Sequence, residues 1–315
     1  MAGKWTTDDI PDQQGRTAVV TGANSGLGRI VARELAKRGA RVIMASRDNA
    51  KGVDAARAIT AAFPSSTVEA AQLDLADLSS VRAFAERTRA VNDKIDLLIN
   101  NAGVMAAPYR RTADGFELQF GTNHLGHFAL TGLMLPLLRE LPDARVVTVS
   151  SNNHKAGQMR FDDLQGDRRY SRWGAYAQSK LANLLFAFEL DRRLSTGGWR
   201  LISVAAHPGY SATNLQLSGP LLHERLLMRL SNRLVAQSAE MGALPLLYAA
   251  TAPALPGGSY VGPDGPGEIR GYPVFVHATQ RANDQEAARR LWDISERMSG
   301  VTYDFRAPGG ELLGR

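Results

Sequence analysis

Tyr176 and Lys180 lie four residues apart in AYAQSKLANLLFAFEL, residues 175–190, where the apolar Leu181, Leu184, Leu185 and Phe188 recur at helical spacing. Positions i and i+4 of a helix are surface neighbours, so the phenol and the ammonium share a face and can serve one site. A phenol at its reference pKa of about 10 keeps its proton at neutral pH. A lysine cation beside it favours the phenolate, and lowering the pKa by about three takes about 4 kcal/mol. The chemistry expected of the pair is proton transfer to or from an oxygen, with the lysine in an electrostatic role. Ser150 and Ser151 end the strand expected before this helix, at the carboxyl edge where parallel sheets keep their sites. A serine hydroxyl there would hydrogen-bond the same reacting oxygen.

A second constellation is TGANSGLG, residues 21–28, at the first strand-to-helix junction. Helix-terminal N–H groups and the macrodipole favour an anion such as a pyrophosphate there, and Gly22, Gly26 and Gly28 clear the approach, with Asn24, Ser25 and Leu27 between them. A glycine turn placed after a strand and before an amphipathic helix is the dinucleotide pattern. The choice of dinucleotide is read about 20 residues further on, at the end of the second strand, where an acid would bind a ribose 2′-hydroxyl. MASRD places Ser46 and Arg47 there instead. A hydroxyl and a guanidinium suit a 2′-phosphate, and a charge-assisted contact of about 1.5 to 3 kcal/mol gives NADP roughly a ten- to hundredfold preference, with NAD the alternative. The competing reading is that Arg47 merely pairs with Asp48. Asp74 and Leu75, after the third strand in QLDLAD, fall where the adenine would lie, and Asp74 either accepts from its amino group or caps the next turn.

The elements that must position these residues alternate. RTAVVTG, RVIMAS, TVEAAQLD, KIDLLIN, ARVVTVSS and WRLISVAA read as strands, and helices intervene, including one from about Asp114 to Arg139. GGSYVG is a further strand and AEMGALPLLYAA a further covering helix. Parallel strands need helical crossovers, so the expected fold is α/β: a single Rossmann-type domain over residues 1–315, its doubly wound, mostly parallel sheet of about seven strands flanked by helices. GPLLHERLLMRLSNRL lies in a segment, 214–235, read as a substrate-side lid or an ordinary packed helix, and 263–315 as an irregular C-terminal extension.

The chain has 315 residues, 44% of them apolar and 22% charged, as in soluble folded proteins. It has no cysteine, so disulfides and thiolate metal sites are excluded, and no metal is expected. With no secretory signal and no run of about 18 apolar residues, a cytoplasmic protein without a transmembrane anchor is expected. The net charge of +6 comes from arginines scattered among acids, without the clustering and stacking aromatics that nucleic acid binding requires. Arg160, Arg168, Arg169 and Arg172 form one local cluster that could favour anionic ligands at the mouth of the site.

Taken together, TGANSGLG, NNAG at Asn100 to Gly103, TNHLGHF containing Asn123, the serine pair, YAQSK, and HPGYSAT at 207–213 resemble the short-chain dehydrogenases/reductases, in family order over residues 16–213. The branch containing retinol dehydrogenases and their bacterial relatives is the most similar, through TNHLGHF, FDDLQ, RYSRWGAYAQSKLANLLF and HPG. That resemblance selects Ser151 as the catalytic serine and leaves Ser150 structural. It also gives Asn123 a place in the catalytic set, holding a water that connects to Lys180. It implies that Asn101, Ala102 and Gly103 border the cofactor, that Pro208 and Gly209 contact nicotinamide, that Thr213 binds its carboxamide, and that Tyr176 and Lys180 serve both catalysis and cofactor binding.

The expected function is an NADP(H)-preferring oxidoreductase interconverting a carbonyl and an alcohol on a small lipophilic substrate, with homo-oligomerisation left open. In the reductive direction Tyr176 gives its proton to the developing alkoxide while Ser151 hydrogen-bonds the same oxygen. Two other readings are a dinucleotide-binding regulator or scaffold, which has no need of the Ser, Tyr and Lys set, and a sugar-nucleotide epimerase or dehydratase, which the glycine spacing disfavours.

Overall fold

A β-branched run covered by helices on both faces should be buried along its whole length, and β1 (Thr17–Thr21) is. The structure, a computed structural model, describes residues 4–138, 143–211 and 237–305. With β1 it forms one sheet from β2 (Arg41–Ser46), β3 (Thr67–Gln72), β4 (Leu97–Asn100), β5 (Arg145–Val149), β6 (Ile202–Ala206), β7 (Tyr260–Pro263) and β8 (Pro273–Phe275). The order is β3-β2-β1-β4-β5-β6-β7-β8, with every pair parallel except β7 and β8. This is the expected α/β Rossmann-type sheet. The eighth strand has only three residues and lies antiparallel on the edge, too short to carry a period of its own.

Helices α1 (Gly26–Lys37), α2 (Asn49–Ala62) and α7 (Ala239–Thr251) share one apolar core with the sheet. On the other face pack α3 (Leu78–Val91), α5 (Gly126–Leu138) and α6 (Arg172–Thr196), with α8 (Gln285–Ser299) joining that layer through Trp292. The sheet reverses its winding at β1, which pairs with β2 on one side and β4 on the other. In open α/β sheets a ligand crevice lies beyond the carboxyl ends of the strands at such a reversal.

Two expectations need correction. The helix drawn from Asp114 starts instead at Leu118, as α4 (Leu118–Phe120), followed by a π-helical turn over Gly121–Leu125 that leads into α5. Gly115 sits at φ +83° in a tight turn closed by an Arg111–Glu117 bridge, and the Glu117 carboxylate then caps α4 through the N–H groups of Gln119 and Phe120. The C-terminal extension is not irregular throughout, because α8 occupies Gln285–Ser299. Asp284 caps its start, Gly300 in the left-handed region ends it, and Ala288, Leu291, Trp292 and Ser295 form its buried stripe. The segment 214–235 lies outside the described residues. Among those described, no helix is long and apolar enough to cross a membrane.

Candidate active site

The end of β5 is stitched to α6 by three hydrogen bonds. Lys180 Nζ and Asn183 Nδ2 both donate to the carbonyl of Val149 at 3.0 Å, and Ser150 Oγ donates to the carbonyl of Lys180 at 2.8 Å. Lys180 and Asn183 are one turn apart, so a single strand carbonyl fixes the rotation of the helix and hence the direction of Tyr176. Both serines line the cavity with Tyr176 and Lys180, but the Ser150 hydroxyl hydrogen is spent on this joint, whereas Ser151 reaches the Tyr176 phenol. Ser151 Oγ accepts from the N–H of Asn153 at 3.2 Å, and its hydroxyl also hydrogen-bonds the Tyr176 phenol.

The electrostatics differ from those inferred from spacing alone. Burial pushes the Tyr176 phenol up to about 12, a rise that a hydrogen bond from Ser151 moderates, and burial draws Lys180 down to about 8. Lys180 Nζ lies 5.8 Å from the centroid of the Tyr176 ring and is turned to the Val149 carbonyl. The spacing placed the two groups on one face but could not show that both would be desolvated there. In the free protein Tyr176 is therefore a protonated phenol, poised as an acid rather than as a phenolate base.

Asn123 lies at the centre of the π-helical turn and is completely buried. Its amide pairs with the backbone of Val104 in both directions, accepting from N–H at 2.7 Å and donating to C=O at 2.9 Å. Asn123 Nδ2 also donates to Ser179 Oγ at 2.9 Å, and Ser179 in turn donates to the carbonyl of Tyr176 at 2.8 Å. Asn123 thus fixes the NNAG loop against α6, a structural job visible only when three separated segments are assembled. Its side chain is held beside Gly103, but Asn123 itself does not line the cavity that Gly103 and Lys180 line.

That cavity, about 940 Å³, runs from the glycine turn to Tyr176. Gly22, Asn24, Ser25, Gly26, Leu27 and Gly28 line one side, and Ser46, Arg47, Asp74 and Leu75 line the end beyond β2 and β3. Asn101, Ala102, Gly103, Pro208 and Gly209 line the stretch toward Tyr176 and Lys180. Thr213 lies outside the described residues. The arginine cluster expected at the mouth does not line the cavity: Arg168 pairs with Asp162 at 2.8 Å, and Arg172 Nε donates to the carbonyl of Ala106 at 2.8 Å.

The residues present fit a dinucleotide. Ser25 precedes α1 in extended backbone with no side-chain cap bond, and the first turn of α1 carries no acid, so its N–H groups are available to an anion. Gly28 packs so closely that a Cβ there would stand 2.6 Å from the carbonyl oxygen of Gly22. Gly209, at φ +63°, is pressed against the carbonyl of Ile269, which leaves no room for a side chain. Asn101 Nδ2 donates to the carbonyl of Thr21 at 2.7 Å, so its side chain braces the glycine turn. At the far end, Ser46 donates its hydroxyl hydrogen to the carbonyl of Asp48 at 3.1 Å, which commits the donor the sequence had assigned to a 2′-phosphate. Asp48 caps α2 and pairs with Lys51 at 2.8 Å rather than with Arg47. Lys51, which sequence reasoning passed over, lines the cavity beside Arg47. Its spacing of four from Arg47 across a strand-to-helix turn was the available signal. Asp74 accepts from the N–H of Ala76 at 2.9 Å, so it caps the turn as well as lining the cavity.

The family model of the short chain dehydrogenases matches residues 16–219. Retinol dehydrogenase 12 of Mus musculus is 44% identical over 290 residues, 92% of this chain and 88% of that protein. Polyprenol dehydrogenase of Mus musculus is 42% identical over 308 residues, 96% of this chain and 89% of that protein. Among solved structures, an uncharacterised protein from Mycobacterium Paratuberculosis superposes with a TM-score of 0.80 at 48% identity, covering 96% of this chain and 100% of that one. RhlG of Pseudomonas aeruginosa, solved as an NADP active-site complex, gives a TM-score of 0.61 at 25% identity over 79% of this chain and 94% of its own.

Proposed function

Because the chain belongs to the short-chain dehydrogenase/reductase family, in its retinol dehydrogenase-like branch, we propose that Tyr176 is the acid/base of an NADP(H)-preferring carbonyl–alcohol interconversion. The protein is an NAD(P)-dependent oxidoreductase acting on CH–OH groups, which sets aside the scaffold reading. The observation that supports the proposal is a single one: Ser151, Tyr176 and Lys180 line the same cavity as the glycine turn.

Bound nicotinamide dinucleotide supplies or takes up hydride. The chain's own residues handle the proton and the geometry. Tyr176, protonated because it is buried, donates to the substrate oxygen, and Ser151, whose hydroxyl hydrogen-bonds the phenol in the free protein, turns its hydrogen to the same atom. Lys180 and Asn183 hold the helix against Val149, so the phenol does not have to find its direction during reaction. Asn123 keeps the NNAG loop in register with α6 and is assigned the water that connects to Lys180. Val104, Met105, Trp173 and Ile269 give the Tyr176 end an apolar wall, which suits a lipophilic substrate, and two of the similar proteins are named for retinol and polyprenol.

The preference for NADP(H) rests on Arg47 and Lys51, the cations lining the cavity beyond β2. Charge-assisted hydrogen bonds predict NADPH binding roughly ten- to hundredfold tighter than NADH. In paired fluorescence titrations Arg47→Ala should remove most of that difference while leaving NADH affinity within about threefold. Equal affinities in the unaltered protein remove the NADP assignment.

A further inference from the structure

His127 lies one turn beyond Asn123, fully buried, and its ring reaches back over the π-helical turn. Its Nδ1 is 2.9 Å from the main-chain oxygen of Asn123, and its Nε2 is 2.9 Å from Thr21 Oγ1 at the end of β1. A carbonyl oxygen only accepts, so Nδ1 carries the proton. Burial holds the ring well below the ordinary histidine range, at about 4, so it is neutral and Nε2 is an acceptor. The Thr21 hydroxyl then has two acceptors, Nε2 at 2.9 Å and the carbonyl of Ile99 at 3.3 Å, the ring being the nearer, and its oxygen accepts the N–H groups of Asn101 and Ala102, both at 2.9 Å. The N–H groups of Asn101 and Ala102, the Thr21 hydroxyl, the His127 ring and the Asn123 carbonyl thus form one connected chain of hydrogen bonds.

We propose that His127 is a positioning residue that, as its Nδ1–H tautomer, fixes the Asn123 carbonyl relative to the end of β1 and so couples the glycine turn to the proton-handling end of the cavity. The coupling rests on the assignment of Asn123 and Tyr176 to the reaction. The π-helical turn is what brings the ring into this position, consistent with the concentration of such turns at functional sites. Through its Nδ1 bond His127 sets the direction in which the Asn123 carbonyl points, and with it where a water bridging to Lys180 would be held.

Nitrogen NMR of the free protein with isotopically labelled histidine reads the tautomer without turnover. The expected spectrum shows His127 neutral, protonated on Nδ1 and unchanged down to about pH 5, above its lowered pKa. A proton on Nε2 overturns the inference. Two half-isosteres then separate the two bonds. In His127→Asn the amide nitrogen replaces Nδ1 and keeps the donor to Asn123 while losing Thr21; in His127→Gln the amide oxygen replaces Nε2 and keeps Thr21 while losing the donor. Loss of one buried bond predicts that His127→Asn weakens NADPH binding about three- to tenfold with kcat within about threefold, and that His127→Gln lowers kcat about ten- to hundredfold with NADPH affinity within about threefold. Each value is taken per folded molecule, with thermal melting measured alongside. Variants that lower only the melting temperature, or that shift kcat and affinity together by the same factor, overturn the proposal. If the unaltered protein turns over no carbonyl, the Tyr176 assignment fails, while the tautomer and the NADPH affinities of the two variants still decide the role of His127.

Discussion

Tyr176→Phe is expected to lower kcat for carbonyl reduction by about a thousandfold while the dissociation constant for NADPH stays within about threefold. The substitution removes one oxygen from a ring buried against Met105 and Ala106, so the packing survives. What disappears is the proton that would reach the substrate oxygen, and no second acid replaces it: Lys180 is turned to the Val149 carbonyl, and the Ser151 hydroxyl is a hydrogen-bond donor with far too high a pKa to give its proton up. Steady-state rates from cofactor absorbance with a panel of aliphatic and aromatic carbonyls, set beside NADPH titrations, read both quantities. More than about a tenth of the original rate remaining would move the acid elsewhere, because a positioned general acid contributes about a hundredfold or more.

The second large effect belongs to the other end of the cavity. Gly28→Ala is expected to weaken NADPH binding by about a hundredfold or more and to lower the melting temperature, since overpacking a tight site costs about 1 to 3 kcal/mol and shifts backbone. The added Cβ would stand 2.5 Å from Asn101 Nδ2 and 2.6 Å from the carbonyl oxygen of Gly22. Neither can retreat cheaply, because Asn101 is tied to the carbonyl of Thr21 and Gly22 is backbone in the turn that faces the ligand. The same displacement would disturb the α1 N–H groups offered to a pyrophosphate. Affinity within about threefold of the unaltered protein would show that the glycine turn does not hold the dinucleotide.

Much of the fold was legible because its signals are local. RVIMAS is a strand at the expected residues, and the i, i+4 relation of Tyr176 to Lys180 survives intact on α6 because helix geometry alone fixes it. The glycine turn was legible for the same reason. What escaped was set by partners distant in sequence. His127 acts on Thr21, 106 residues away, and nothing in TNHLGHF marks which histidine would face the strand. The π-helical turn around Asn123 leaves no period to read over so few residues. Helix α8 carried a capping aspartate and an apolar stripe, but the turn-rich residues before it concealed its start. The charge balance at Tyr176 was misjudged because spacing reports proximity and says nothing of desolvation, and here burial outweighs a lysine whose ammonium points at a carbonyl.

The protonation state of Tyr176 in the free protein is the claim on which the mechanism turns, and an NMR titration with ring-labelled tyrosine, assigned by comparison with Tyr176→Phe, measures it directly. A phenol pushed up to about 12 by burial stays protonated as pH rises through the neutral range and past the ordinary tyrosine value, while Lys180 loses its proton near 8. The account predicts no phenolate signal from Tyr176 below about pH 10, the reference value for an exposed tyrosine. A Tyr176 resonance that titrates near or below neutrality would contradict it and return the residue to the role of a phenolate base held by its neighbouring lysine.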